Sequence, residues 1–164
     1  MRLSTVGRYA LRAMVDLAYY GTEGPVPRYE IAARQEVSEQ YLAQLLLKLK
    51  HAGLVESVRG PGGGYLLARG ADAITAGEVL RAVEETLAPV FCVGDDEDTT
   101  CSRVDGCPTH WLWKRLGDTI CQTLDSVTLS ELCTHAHWEA PGDEAASGQV
   151  LTHSIREQGA TDVQ

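Results

Sequence analysis

The chain has 164 residues, of which 44% are hydrophobic and 23% charged, and carries a formal net charge of −9. That length supplies one domain with a real core and a short appendage, not two large domains. No run of roughly eighteen apolar residues exists, which excludes a membrane-spanning helix. The mixed, polar start MRLSTVGRYALR lacks the apolar stretch of a secretory signal, so the expected location is the cytoplasm.

Charge divides along the chain. Residues 1–69 hold nine Lys and Arg against six Asp and Glu, a surplus of +3, and residues 70–164 carry −12. At cellular salt each surface acts mainly on its own neighbourhood, so a mildly basic head on an acidic body is compatible with phosphate contacts.

In chain order, Val6, Ala10, Ala13, Met14, Leu17 and Ala18 recur at helical spacing and predict a helix over about 4–20. Gly21 and the stretch 23–27 break it, and Pro27 opens a second helix, about 28–35, that buries Ile31 and Ala32. Ser38 is a good N-cap for a third helix, with Val37 and Leu42 as its staple. Leu42, Leu45, Leu46 and Leu49 form its core stripe, and Gly53 suits the residue just past its end. Leu47 falls out of pattern on the opposite, polar face.

Two short apolar runs, 54–58 and 65–67, flank the turn Arg59-Gly60-Pro61-Gly62-Gly63-Gly64 and predict a β-hairpin. Thr75 to Glu78 reads as a capping box for a fourth helix that Pro89 ends. An acidic loop, VGDDEDTT, occupies 93–100. A long helix is then predicted from Cys107-Pro108 to about Ser126, with Trp113, Leu116, Ile120, Leu124 and Val127 on one side. Thr128 to Glu131 opens a last short helix. From Ala140 onward no usable period remains, and a disordered tail is expected. The expected fold is mainly α, a winged helix-turn-helix with a small β-hairpin wing. The parts are a DNA-binding domain over 1–88, a cluster-binding loop over 89–110, a long helix and short terminal helix over 107–137, and a tail over 138–164.

A major groove accepts a helix, and the residues that read bases lie near its N-terminus. In the third helix these are Ser38, Glu39, Gln40, Tyr41 and Gln44. Glutamine pairs bidentately with adenine, and a glutamate accepts from cytosine. The glycines of the hairpin turn, Gly60 and Gly62 among them, let backbone N–H groups come close to a phosphate backbone. Arg59 is the residue type that enters a narrow minor groove. A nucleotide-binding loop is excluded because no Gly-Lys-Ser/Thr follows, and Tyr65 stands where a dinucleotide fingerprint needs its last glycine.

Five cysteines in a cytosolic chain read as thiols or metal ligands rather than disulfides. Cys92, Cys101, Cys107 and His110 follow the spacing C-x8-C-x5-C-x2-H, enough for one four-ligand site. Cys107 is expected as N-cap and Pro108 as first residue of the long helix, where the helix dipole favours a thiolate. Zinc accepts three cysteines and a histidine, although the usual close C-x2-C knuckle is missing. Loop-borne thiolates also suit an iron–sulfur cluster, [2Fe–2S] or [4Fe–4S], and a histidine ligand would raise its potential and make it pH-sensitive. Cys121 is expected to pack or face an interface, His135 and His137 to be solvated, and His51 to meet the C-terminal dipole of its helix or a phosphate. No base–nucleophile pair in a cleft-like context points to an enzyme.

The opening MRLSTVGRYALRAM, the helix Ser38–Lys50, the wing GLVESVRGPGGGYLL and the downstream GEVLRAVEE resemble the Rrf-type winged-helix transcription regulators of bacteria over about residues 1–135. The resemblance implies a homodimer joined through the long helix, bound to a palindromic operator on double-stranded DNA. It also implies a [2Fe–2S] cluster on Cys92, Cys101, Cys107 and His110 that reports iron–sulfur supply. Ser38, Gln40, Tyr41, Gln44 and Arg59 carry over as DNA contacts. Two departures stand out. Eight residues separate Cys92 from Cys101, where the similar cluster-sensing regulator has about five, and Ala43 replaces a glutamate on the recognition helix. Alanine removes a carboxylate that would reject some sites, so DNA choice is expected to depend less on cluster occupancy here. The remaining alternatives are a same-fold sensor of nitric oxide, redox state or iron, a zinc-stabilised adaptor, and an iron–sulfur electron carrier or enzyme subunit.

Overall fold

The computed structural model of the chain describes residues 4–83, 87–93 and 101–136. The acidic loop beyond Val93, His137 and the tail from 138 lie outside the described residues.

Helix α1, Thr5–Tyr20, is capped by Ser4, whose hydroxyl accepts from the Gly7 amide at 3.1 Å. It buries Ala10, Ala13, Met14 and Leu17, the stripe its spacing predicts. Helix α2, Arg28–Arg34, follows Pro27, and α3, Glu39–His51, follows Ser38, whose hydroxyl accepts from the Tyr41 amide at 3.2 Å. Leu42, Leu45, Leu46 and Leu49 are all buried, each contributing about 1.5–3 kcal/mol. Between α2 and α3, Glu36 turns the chain with φ of 55°. Gly53, at φ 70°, ends α3 as its position predicts.

Strands β1, Val55–Val58, and β2, Gly64–Leu67, pair antiparallel with Val55 opposite Leu67 and Val58 opposite Gly64. Val26 adds a single bridge to β2, exchanging two 2.9 Å backbone bonds with Tyr65. That close approach explains Gly64, because a Cβ there would strike the Val26 carbonyl.

Helix α4, Ala76–Ala82, opens with the predicted capping box. The Glu78 amide donates to Thr75 Oγ1 at 3.2 Å, and the Glu78 carboxylate accepts from the Thr75 amide at 2.9 Å. Helix α5 spans His110–Ser126 and α6 spans Leu129–Thr134. Helix α5 starts later than the sequence suggests. Cys107, held extended as residues before proline are, ends a 3₁₀ turn over Val104–Gly106. Pro108 and Thr109 form a further turn, and Thr109 rather than Cys107 is the N-cap.

The last helix returns to the head. Thr75 and Thr128 form a bridge, the Leu129 amide donates to the Ile74 carbonyl, and Leu129 is fully buried against the core shared with α1. Helix α5 itself buries no residue within the chain, and Trp111, Leu112 and Leu116 are exposed along it. No helix among the described residues is long and apolar enough to cross a membrane.

Candidate DNA interface and cysteine–histidine segment

The outer face of α3 is set by its core stripe. With Leu42, Leu45, Leu46 and Leu49 inward, Gln40, Gln44, Leu47 and His51 point to solvent. Ser38, Glu39, Gln40 and Gln44 are exposed, and Tyr41 is half-buried. Glu39 is not a lone carboxylate. Its Oε2 accepts from Nε and Nη2 of Arg28 at 3.2 and 3.1 Å, which offsets its repulsion of phosphate. Tyr41 packs edge-on against Tyr9 of α1 at 6.0 Å, and its buried hydroxyl has no hydrogen-bond partner among the described residues.

The wing is an exposed tip. Gly60 and Gly62 hold φ of 105° and 74°, which side-chain-bearing residues rarely adopt, and the Gly63 amide closes the turn on the Gly60 carbonyl at 2.9 Å. Arg59 at its base is exposed. Lys50 Nζ donates to Ser57 Oγ at 2.5 Å, which ties the end of α3 to the strand leading into the wing.

A polar cluster that sequence reasoning missed fixes α2 and the turn before α3 against α1. Asp16 of α1 is fully buried. It accepts from Arg34 through two bonds of 2.7 and 2.9 Å and from Gln35 Nε2 at 2.8 Å. Gln35 Oε1 in turn accepts from Arg12 at 2.9 Å, and the Arg34 guanidinium lies 4.0 Å over the Tyr20 ring. The Asp16 carboxylate holds the Arg34 guanidinium above its ordinary pKa. This network joins α1 to the end of α2 and the turn before α3. Its only sequence signal is an acid between Val15 and Leu17 on a helix that is otherwise apolar there.

Three of the four candidate ligands lie along the approach to α5, and the fourth lies on a segment that packs against its middle. Cys92 is in a 3₁₀ turn over Phe91–Val93, in a segment whose Pro89 packs on Gly117 of α5. Cys101 precedes the Val104–Gly106 turn, Cys107 ends it, and His110 opens α5. All five cysteines are free thiols and half-buried. The Cys107 thiol lies below the usual cysteine range, chiefly through its contact with the Thr109 hydroxyl at 3.3 Å and then through amide hydrogen bonds. Burial pushes the Cys133 thiol up; it lies on α6 and points at the Val15 carbonyl. His110 Nδ1 is buried with no hydrogen-bond partner among the described residues. That orphaned nitrogen, with three accessible thiols beside it in sequence, fits a thiolate–imidazole centre in its donor chemistry. Among the described residues, no three His, Cys, Asp or Glu side chains converge as around a metal ion.

Three packed helices, an exposed helix face with two glutamines and a glycine-rich wing define a winged helix-turn-helix DNA-binding protein rather than an enzyme. The Rrf2 family, described as iron-dependent transcriptional regulators, matches residues 3–135, and the chain belongs to it. It is 43% identical over 150 residues to the HTH-type transcriptional regulator IscR of Erwinia tasmaniensis, covering 92% of this chain and 89% of that protein. With IscR of Pectobacterium atrosepticum it shares 48% over 132 residues, covering 80% and 79%. Among solved structures it is similar to T. potens IscR, with TM-score 0.66, 36% identity and coverage of 92% and 94%. It is also similar to CymR, the global cysteine regulator of B. subtilis, with TM-score 0.67, 40% identity and coverage of 83% and 98%. The chain is thus a transcription regulator that binds DNA.

Proposed function

We propose that the chain is a cytoplasmic homodimer that senses iron–sulfur supply and regulates genes of iron–sulfur cluster biogenesis, as repressor or activator. Ser38, Glu39, Gln40, Tyr41 and Gln44 enter the major groove, and Arg59, Gly60 and Gly62 of the wing meet the adjacent backbone or minor groove. Paired α5 helices would set two such heads about one DNA turn, roughly 34 Å, apart on a palindromic operator. Cys92, Cys101, Cys107 and His110 would hold a [2Fe–2S] cluster. When bound, such a cluster would supply a one-electron couple and a net charge, and its occupancy would follow cellular iron and sulfide. Cys107 brings a readily formed thiolate and His110 a nitrogen that is otherwise unsatisfied.

One observation carries this reading. Cys101, Cys107 and His110 lie along the chain leading into α5, Cys92 lies in a turn on a segment packed against α5 at Gly117, and α5 leads through α6 back into the core beneath the DNA-reading helices. A change in how 92–110 is held alters the placement of the heads, and a coupling of about 1–3 kcal/mol suffices for a useful switch.

The test is anaerobic reconstitution with iron and sulfide, followed by visible absorption and operator binding with and without the cluster. Charge-transfer bands lost in Cys101→Ala and His110→Ala, together with an affinity change on loading, are the expected result. A colourless protein with stoichiometric zinc would favour the zinc-stabilised reading. A [4Fe–4S] spectrum would keep the sensor and change its nuclearity. Because Ala43 lacks a carboxylate, the preferred site is expected to depend only weakly on cluster occupancy, and a large switch of site on loading would overturn that expectation.

A further inference from the structure

Leu47 is the anomaly on α3. It is 54% exposed, although every other leucine of the helix is buried. It lies in line with Gln40, Gln44 and His51, at intervals of four, three and four residues, on the face opposite the core. Among the described residues, nothing covers Leu47 on this face. The far end of α3 is tied by Lys50 and Ser57 to the strand that runs to Arg59. A duplex lying along this face between the N-terminus of α3 and the wing would meet Leu47.

An isobutyl group facing a major groove has one good apolar target, the C5-methyl group of thymine, which no other DNA base presents. Glutamine residues one and two turns away favour adenine. Seven residues from Gln40 to Leu47 correspond to about 10 Å along the helix, or roughly three base pairs. We propose that Leu47 is a specificity-determining residue that recognises a thymine methyl group in each half-site, a few base pairs from the adenine read by Gln40. This rests on the reading of α3 as the groove-entering helix and adds to it what the sequence of the site must contain.

The experiment starts from a duplex enriched from a random pool by the wild-type protein. It is resynthesised with deoxyuridine in place of each thymine in turn, which removes only the methyl group. Affinities of wild type and Leu47→Ala are measured by fluorescence anisotropy. At one thymine per half-site, deoxyuridine weakens wild-type binding about three- to fivefold, the scale of one buried methyl group. The same replacement leaves Leu47→Ala unchanged, while that variant binds the thymine duplex several-fold more weakly. Leu47 is solvent-facing and alanine is the best helix former, so the fold stays intact, which circular dichroism checks. Absence of any deoxyuridine effect, or an equal effect in both proteins, overturns the proposal. So does a change in oligomeric state of Leu47→Ala without DNA, which would make the leucine a contact between copies. If no duplex is enriched at all, the reading of α3 itself fails, and the two failures are thereby distinguished.

Discussion

Glu36 holds φ of 55° in the turn that redirects the chain from α2 to α3. A side chain in this left-handed region costs about 1–2 kcal/mol, which glycine avoids while giving back about 0.4–1 kcal/mol by loosening the unfolded chain. Glu36→Gly is expected to raise stability by about 0.5–1 kcal/mol, seen as a higher urea midpoint at unchanged slope. Asp16 has the opposite character. Its carboxylate is fully buried and gathers three hydrogen bonds from Arg34 and Gln35. Asp16→Ala strands a guanidinium that is 23% exposed, and the expected loss is about 3 kcal/mol, the lower end for breaking a buried pair. Asp16→Asn keeps an acceptor and is expected to lose less; urea titration of both variants orders them.

At the scale of elements, α4 depends on the Thr75–Glu78 box. The Thr75 amide, and then Arg69, hold the Glu78 carboxyl below its ordinary pKa. A depressed acid stabilises the fold above the ordinary glutamate range, and that contribution fades as pH falls through the folded value. The stability gap between wild type and Glu78→Gln is therefore expected to be full at neutral pH and to close below about pH 4, measured by denaturant midpoints across that range. Caps of this kind are legible in sequence because their chemistry is local: Ser38, Thr75 and Gly53 each act within four residues. The hairpin was legible for the same reason. The start of α5 was not, because the Thr109 hydroxyl turns to the Cys107 sulfur and leaves the helix to begin after it. The Asp16 cluster was hidden more deeply, since its partners are 18 and 19 residues away and only meet once α2 folds onto α1. The Arg28–Glu39 pair is hidden in the same way, because its partners are 11 residues apart and meet only once α2 and α3 pack together.

On the scale of the whole molecule, α5 is covered only in part among the described residues, by the segment around Pro89 and by α4. Of the side predicted to be buried, Trp113, Ile120, Leu124 and Val127 are half-buried and Leu116 is exposed, and Trp111 and Leu112 beside it are exposed as well. Pairing of two α5 helices, as in the proposed homodimer, would remove them from water. Leu116→Glu places a charge there and is expected to weaken dimerisation at least tenfold, with sedimentation equilibrium as the measurement and helicity unchanged. Operator affinity should fall with it, because one head alone loses half of its contacts. Arg59→Ala is expected to weaken DNA binding and lower the salt dependence by about one unit of slope per head, without moving the dimer equilibrium.

Leu129, sealed beneath Ile74 and α1, has a bearing on how such regulators can be cut and recombined. A chimaera spliced after α4 would graft a foreign sensor onto a recipient whose floor is missing one plank. To remain whole, any transplanted sensing module has to bring its own final helix along, so the reading heads and the closing turn of the chain form one unit of inheritance despite standing far apart in the gene.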